Sequence, residues 1–166
     1  MDQSLASSAV SLSGTKDMGS ECLIDTVTSE LYRLACRIYL RKILDPSISD
    51  DDQAILALLV EFIDALELLP SDSPSNNILS WPLVVTGLCA TRSAHQRIIS
   101  TKLAHIHGEW RSEIFSKGAA FLREKWRNDR NTNYRLSSTI LPRTTSINDI
   151  PSWDQLIWYK LPVILA

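Results

Sequence analysis

The chain has 166 residues, the length of one domain with a buried core. Its 45% apolar and 22% charged residues, with only 5 glycines and 7 prolines, exclude a collagen-like or low-complexity fibre. Seventeen basic against nineteen acidic residues leave a net charge of −2, so nothing in the overall balance pulls the chain toward nucleic acid.

Residues 1–20 hold six serines, no aromatic and no sustained period, and read as a disordered tail rather than a signal peptide. The first strong element runs from Glu21 to Leu44. Ile24, Val27, Leu31, Leu34, Ala35 and Ile38 fall on one face of a helix, and Arg33, Arg37 and Arg41 form a basic line elsewhere on it. Asp45-Pro46 stops it, because proline disfavours helical geometry in the residue before it. Ser49 starts a second helix, with Asp52 completing a capping-box pattern and three successive aspartates at the positive end of the dipole. Ile55, Leu58, Leu59, Phe62, Ile63, Leu66 and Leu69 carry its stripe, and 70–77 reads as a flexible loop. SWPLVVTGLCA is apolar all round, hence buried. Helix is preferred to strand because no second strand candidate exists to pair with it, and Pro82 fits a first helical turn.

Ser93 and Gln96 make another capping pattern, with Ile99, Leu103 and Ile106 leading to a stop or bend at Gly108. A helix over 109–128 follows, its buried side marked by Trp110, Ile114, Phe115, Gly118, Leu122 and Trp126. Residues 129–148 are polar and read as a flexible segment. A short last helix starts near Pro151 or Ser152, with Trp153, Leu156, Ile157 and Leu161 facing inward. The expected fold is all-α: an irregular bundle of about five to six helices over 21–166 behind a disordered N-terminal tail. Charge is uneven, net −8 over 1–75 and net +7 over 76–148, so the two halves can attract one another or offer partners two faces.

No catalytic or metal constellation stands out. There is no GxSxG, HExxH, CxxC or phosphate-binding glycine loop. Cys22 and Cys36 lie about 21 Å apart along one helix, beyond disulfide reach, and three cysteines cannot fill a four-cysteine zinc site; the pattern suits a reducing compartment. His105 and His107 point to different sides of a helix and cannot clamp one ion. Cys89 with a histidine lacks any local signature of a nucleophilic pair. Asp50, Asp51 and Asp52 lack the spacing of a calcium loop. REKWRNDR at 123–130 reads as a solvated helix end before it reads as a nucleic-acid contact. The apolar run at 81–90 is too short to span a bilayer. Five tryptophans serve either as core or as lining of a cavity that holds an apolar small molecule.

Several stretches in order carry a family resemblance. LYRLACRIYLRKIL at 31–44 resembles the Tyr-Arg-x-Ala-x-x-Ile-Tyr-Leu helix of the fungal-specific transcription factor regulatory domain, through Tyr32, Arg33, Ala35, Ile38, Tyr39 and Leu40. SWPLVVTGLCAT resembles that family's Trp-Pro-Leu-x-x-x-Gly segment through Trp81, Pro82, Leu83 and Gly87. A capped polar helix and one ending near Trp126 follow, and Trp153 with Leu156 looks like the closing Trp-x-x-Leu helix. The resemblance covers 23–166 and is to the C-terminal part of a longer domain. The six-cysteine zinc cluster that contacts DNA in that family has no counterpart among these cysteines.

What the resemblance implies is a non-enzymatic regulatory role in the nucleus. It would act through protein contacts with other parts of a transcription factor or with co-regulators, and take a small apolar ligand. It implies no cofactor, no metal, no membrane and no direct nucleic-acid contact by this chain. Leu31, Leu34, Ile38, Leu59, Phe62 and Leu66 would form a packing seam. Absent upstream helices, the stripes of the first two helices should leave a bare apolar patch. A helical adaptor unrelated to transcription is the alternative.

Overall fold

A computed structural model describes residues 18–138, with side chains described over 21–131. Its elements are α1 (Met18–Leu44), α2 (Gln53–Glu67), a 3₁₀ turn (Pro74–Ile78), α3 (Ser80–Leu88), α4 (Ser93–Trp110) and α5 (Glu113–Ser138). The described part of the fold is all-α, five α-helices with no strand among them. The N-terminal tail before Met18, the segment 139–148 and the closing helix with Trp153 and Leu156 lie outside the described residues.

The stripes read from sequence meet each other. Val27, Leu31, Leu34, Ala35 and Ile38 on α1 are buried in one core with Ile55, Leu58, Leu59, Phe62, Ile63 and Leu66 on α2. The two stripes cover one another, so among the described residues the stripes themselves leave no bare patch, although Leu23, Leu40, Leu44 and Val60 stay exposed elsewhere on these helices. α3 lies at the centre, against α1, α4 and α5, and α4 and α5 form an antiparallel hairpin. Every α3 residue except Trp81 is buried, as its all-round apolarity requires.

Several boundaries differ from the sequence reading. α2 is capped by Asp52, whose Oδ1 accepts from the amides of Ala54 (2.9 Å) and Ile55 (3.3 Å), while Ser49 closes only the preceding turn. α4 has no side-chain cap. Ser93 is its first residue, and the Gln96 side chain donates instead to the Ala90 carbonyl. Gly108 does not stop α4, which runs on to Trp110 and ends at Arg111 in the left-handed region (φ 51°). Trp110 therefore sits at a helix end, 42% exposed, not in the core. The 70–77 segment is built rather than loose. Ser73 caps the 3₁₀ turn, and fully buried Asn76 donates to the carbonyls of Pro70 (2.9 Å) and Ser71 (2.8 Å). Residues 129–138, expected to belong to a flexible segment, continue α5, because no glycine or proline stands between Gly118 and Ser138.

Candidate regulatory site

α3 is seated by exchange of small for branched residues with α5. A Cβ on Gly87 would lie 2.5 Å from Leu122 Cδ1, and one on Gly118 would lie 2.9 Å from Val84 Cγ2. Each helix thus offers a glycine to the other's branched side chain, and the two backbones approach closely there. The buried Trp126 ring spans the same crossing, its Nε1 donating to the Gly87 carbonyl at 2.9 Å. Pro82 loses no hydrogen bond, since the first amides of a helix have no internal partner, and the Thr86 hydroxyl donates back to its carbonyl at 2.7 Å.

At the other side of α3, Trp81 is half-buried between two tyrosines of α1. Its ring stacks on Tyr32 with centroids 6.2 Å apart and meets Tyr39 edge-on at 5.9 Å. Tyr32 and Tyr39, seven positions apart, share one flank of α1 beside its buried stripe. The Tyr32 hydroxyl donates to the Ile78 carbonyl, and burial, with Cys36 nearby, pushes its phenol above the ordinary value, so it stays a donor. Leu40, next to Tyr39, and Ile78, at the Tyr32 end, are each 53% exposed. The result is a partly exposed aromatic strip packed against the core, with Ile78 exposed at its Tyr32 end.

The motif residues thus divide. Tyr32, Tyr39 and Trp81 form the strip; Gly87 and Trp126 meet at the α3–α5 crossing; Ala35, Ile38, Pro82 and Leu83 are buried. Arg33 points to solvent and pairs with Glu30 one turn back. The described tryptophans differ in place: Trp126 is core, Trp81 belongs to the strip and Trp110 is at the surface.

A polar clasp was not legible beforehand. The three aspartates have three jobs, and only Asp52 caps a helix. Asp51 accepts from the Thr91 hydroxyl at 2.7 Å. Asp50 lies 2.5 Å from the ammonium of Lys42 on α1 and 3.7 Å from that of Lys125 on α5. Lys42 is buried (3% exposed) and also donates to the Ile48 carbonyl at 2.7 Å. Lys125 further pairs with Asp129 at 2.6 Å, so part of the REKWRNDR stretch is turned inward in mid-helix rather than being a solvated end. Buried Cys89 adjoins this clasp; burial first, then the Asp50 carboxylate, push its thiol far above the ordinary range, which suits a packed thiol and not a nucleophile. Two of the histidines meet backbone carbonyls, His105 at Ser71 (3.2 Å) and His107 at Ser112 (3.0 Å).

An open cleft of about 460 Å³ lies between the end of α2 and the middle of α4, lined by Leu66, Leu69, Arg97, Ile98, Lys102 and His105 among others. Among the described residues no group of three or more His, Cys, Asp or Glu is placed to hold a metal ion, and no helix is long and apolar enough to cross a membrane.

Fold and surface define the class: an all-α domain with one shared core and an aromatic strip left open beside it. The chain matches the fungal specific transcription factor domain over residues 2–161 and belongs to that family. The match starts well before residue 23, where the motif resemblance begins, and so takes in most of the serine-rich stretch. No curated protein and no solved structure matches the chain. Membership supports a regulatory role in a fungal transcription factor.

Proposed function

We propose that this domain regulates transcription by docking its aromatic strip onto another part of a transcription factor or onto a co-regulator, without catalysis and without touching DNA itself. The observation that carries the reading is the strip of Tyr32, Trp81 and Tyr39, each partly exposed, with Ile78 exposed at the Tyr32 end and Leu40 exposed next to Tyr39 in the chain. The seam of Leu31, Leu34, Ile38, Leu59, Phe62 and Leu66 is used up within the chain, so docking falls to the strip. Aromatic residues bordered by aliphatic ones are the composition that carries binding energy at protein interfaces. A small ligand held between helices tunes this docking. Its place is the α2–α4 cleft, not a tryptophan-lined cavity.

The test is a reporter assay in fungal nuclei with the chain fused to a heterologous DNA-binding module. The wild-type fusion should shift reporter output. Leu40→Glu with Ile78→Glu, both at exposed positions, should abolish the shift while leaving helical circular dichroism unchanged. A wild-type fusion that leaves transcription unaltered would favour the adaptor reading, and a double variant with full effect would remove the strip from the mechanism.

A further inference from the structure

The floor of the α2–α4 cleft is apolar: Leu66 and Leu69 are buried core residues of the α2 end, and Ile98 packs against the same core from α4. Its rim is cationic. Arg97 and Lys102 both line it, and neither has an ion-pair partner among the described residues, although Glu67 lines the same cleft. Lys102 is half-buried, and burial lowers its pKa from the ordinary value: its ammonium has given up water without gaining a carboxylate. His105 closes one end, its Nε2–H donating to the Ser71 carbonyl, so the ring is held in place by the ordered turn after α2. Two cations against one carboxylate leave a single positive charge in excess at the cleft. From Arg97 to His105 the α4 wall of the cleft rises about 12 Å along the helix axis.

We propose that this cleft binds an amphipathic monocarboxylate of about eight to ten carbons, its head on Arg97 and Lys102 and its tail along Leu66, Leu69 and Ile98. One carboxylate neutralises the excess charge through charge-assisted hydrogen bonds, and an unbranched tail lies along the apolar floor without entering the core. The volume lies within the usual range for small-molecule sites. This rests on the ligand part of the proposed function, but its readout is binding, so the reporter assay can fail while the site stands, and the reverse.

The experiment is isothermal titration calorimetry on the full chain with decanoate, with 1-decanol as the uncharged probe of equal tail. Decanoate should bind saturably with a Kd below about 1 mM. Decanol should bind at least about tenfold more weakly. Arg97→Gln with Lys102→Gln should weaken decanoate by about tenfold or more and leave decanol unchanged. Thr101→Trp, at an exposed position that lines the cleft, should block both. Equal affinity for decanoate and decanol, undiminished binding in the double variant, or no saturable binding would overturn the proposal. So would recruitment to anionic phosphatidylglycerol vesicles, or capture of an Asp/Leu-rich amphipathic peptide, by a chain that fails to bind free decanoate.

Discussion

Replacing glycine by alanine acts in opposite directions at Gly87, inside the α3–α5 crossing, and at Gly108, outside it. At Gly87 an added Cβ would lie 2.5 Å from Leu122 Cδ1, 3.0 Å from Cδ2 and 3.3 Å from Cγ. Turning the end of the leucine does not clear its Cγ together with both methyls, and Leu122 is fully buried, so the side chain has nowhere to swing. Either the helices separate or the leucine leaves its rotamer, which costs about 1–3 kcal/mol in a packed core. The helix-forming advantage of alanine over glycine offsets a part of this, and only a part because Gly87 stands next to the end of α3. Gly87→Ala should therefore destabilise by about 1–2 kcal/mol, or lower Tm by about 3–6 °C in a chain of this size. At Gly108, within α4, nothing lies within 4 Å of the added carbon, so Gly108→Ala should stabilise by about 0.5–1 kcal/mol. Urea and thermal unfolding followed by circular dichroism measure both. A Gly87→Ala protein as stable as wild type would refute the close approach of α3 and α5.

Other outcomes follow from the clasp, the thiols and the α4–α5 turn. Asp50→Ala leaves the buried Lys42 ammonium without its carboxylate and should cost about 3 kcal/mol in urea unfolding; adding Lys42→Met should recover much of that loss, and a single variant within error of wild type would contradict the burial of the pair. Iodoacetamide at neutral pH should label exposed Cys22 and Cys36 in the folded chain and spare Cys89 until denaturant is added, as read by peptide mass spectrometry; rapid native labelling of Cys89 would show a thiol open to solvent. Arg111→Gly relieves a left-handed backbone in a residue with a Cβ and should raise stability by about 0.5–1 kcal/mol, with no gain counting against the φ of 51°.

Periodicity carried the architecture. The stripes of α1 and α2 and the all-round apolarity of α3 are local patterns, and burial follows from them directly. Boundaries that depend on a single residue's partner were less legible. Ser49 and Asp52 both satisfy the capping pattern; Asp52 caps α2, and the Ser49 hydroxyl accepts from the Asp51 amide in the turn before it. Gly108 looks like a stop, yet α4 runs two residues further and the turn is made by Arg111. At the site, Trp81 and the α1 tyrosines are forty or more positions apart, so their stacking appears only once α3 lies across α1. Likewise Asp50, Lys42 and Lys125 carry no shared local pattern. Three aspartates in a row at a helix start hide the one that reaches a distant lysine. The cleft cations were invisible for the same reason: nothing in the spacing of Arg97 and Lys102 says that the end of α2 will face them.

The central position of α3 has a consequence for how the molecule can be divided. A nine-residue rod greasy on every side must be wrapped, and its wrapping is contributed by segments on both sides of it in the chain. Cutting after α2 would strand the leading hairpin without its lid, and starting at α3 would bare a surface that water rejects. The described helices should therefore melt as one cooperative block, and any excised piece should be insoluble or molten rather than a miniature of the whole.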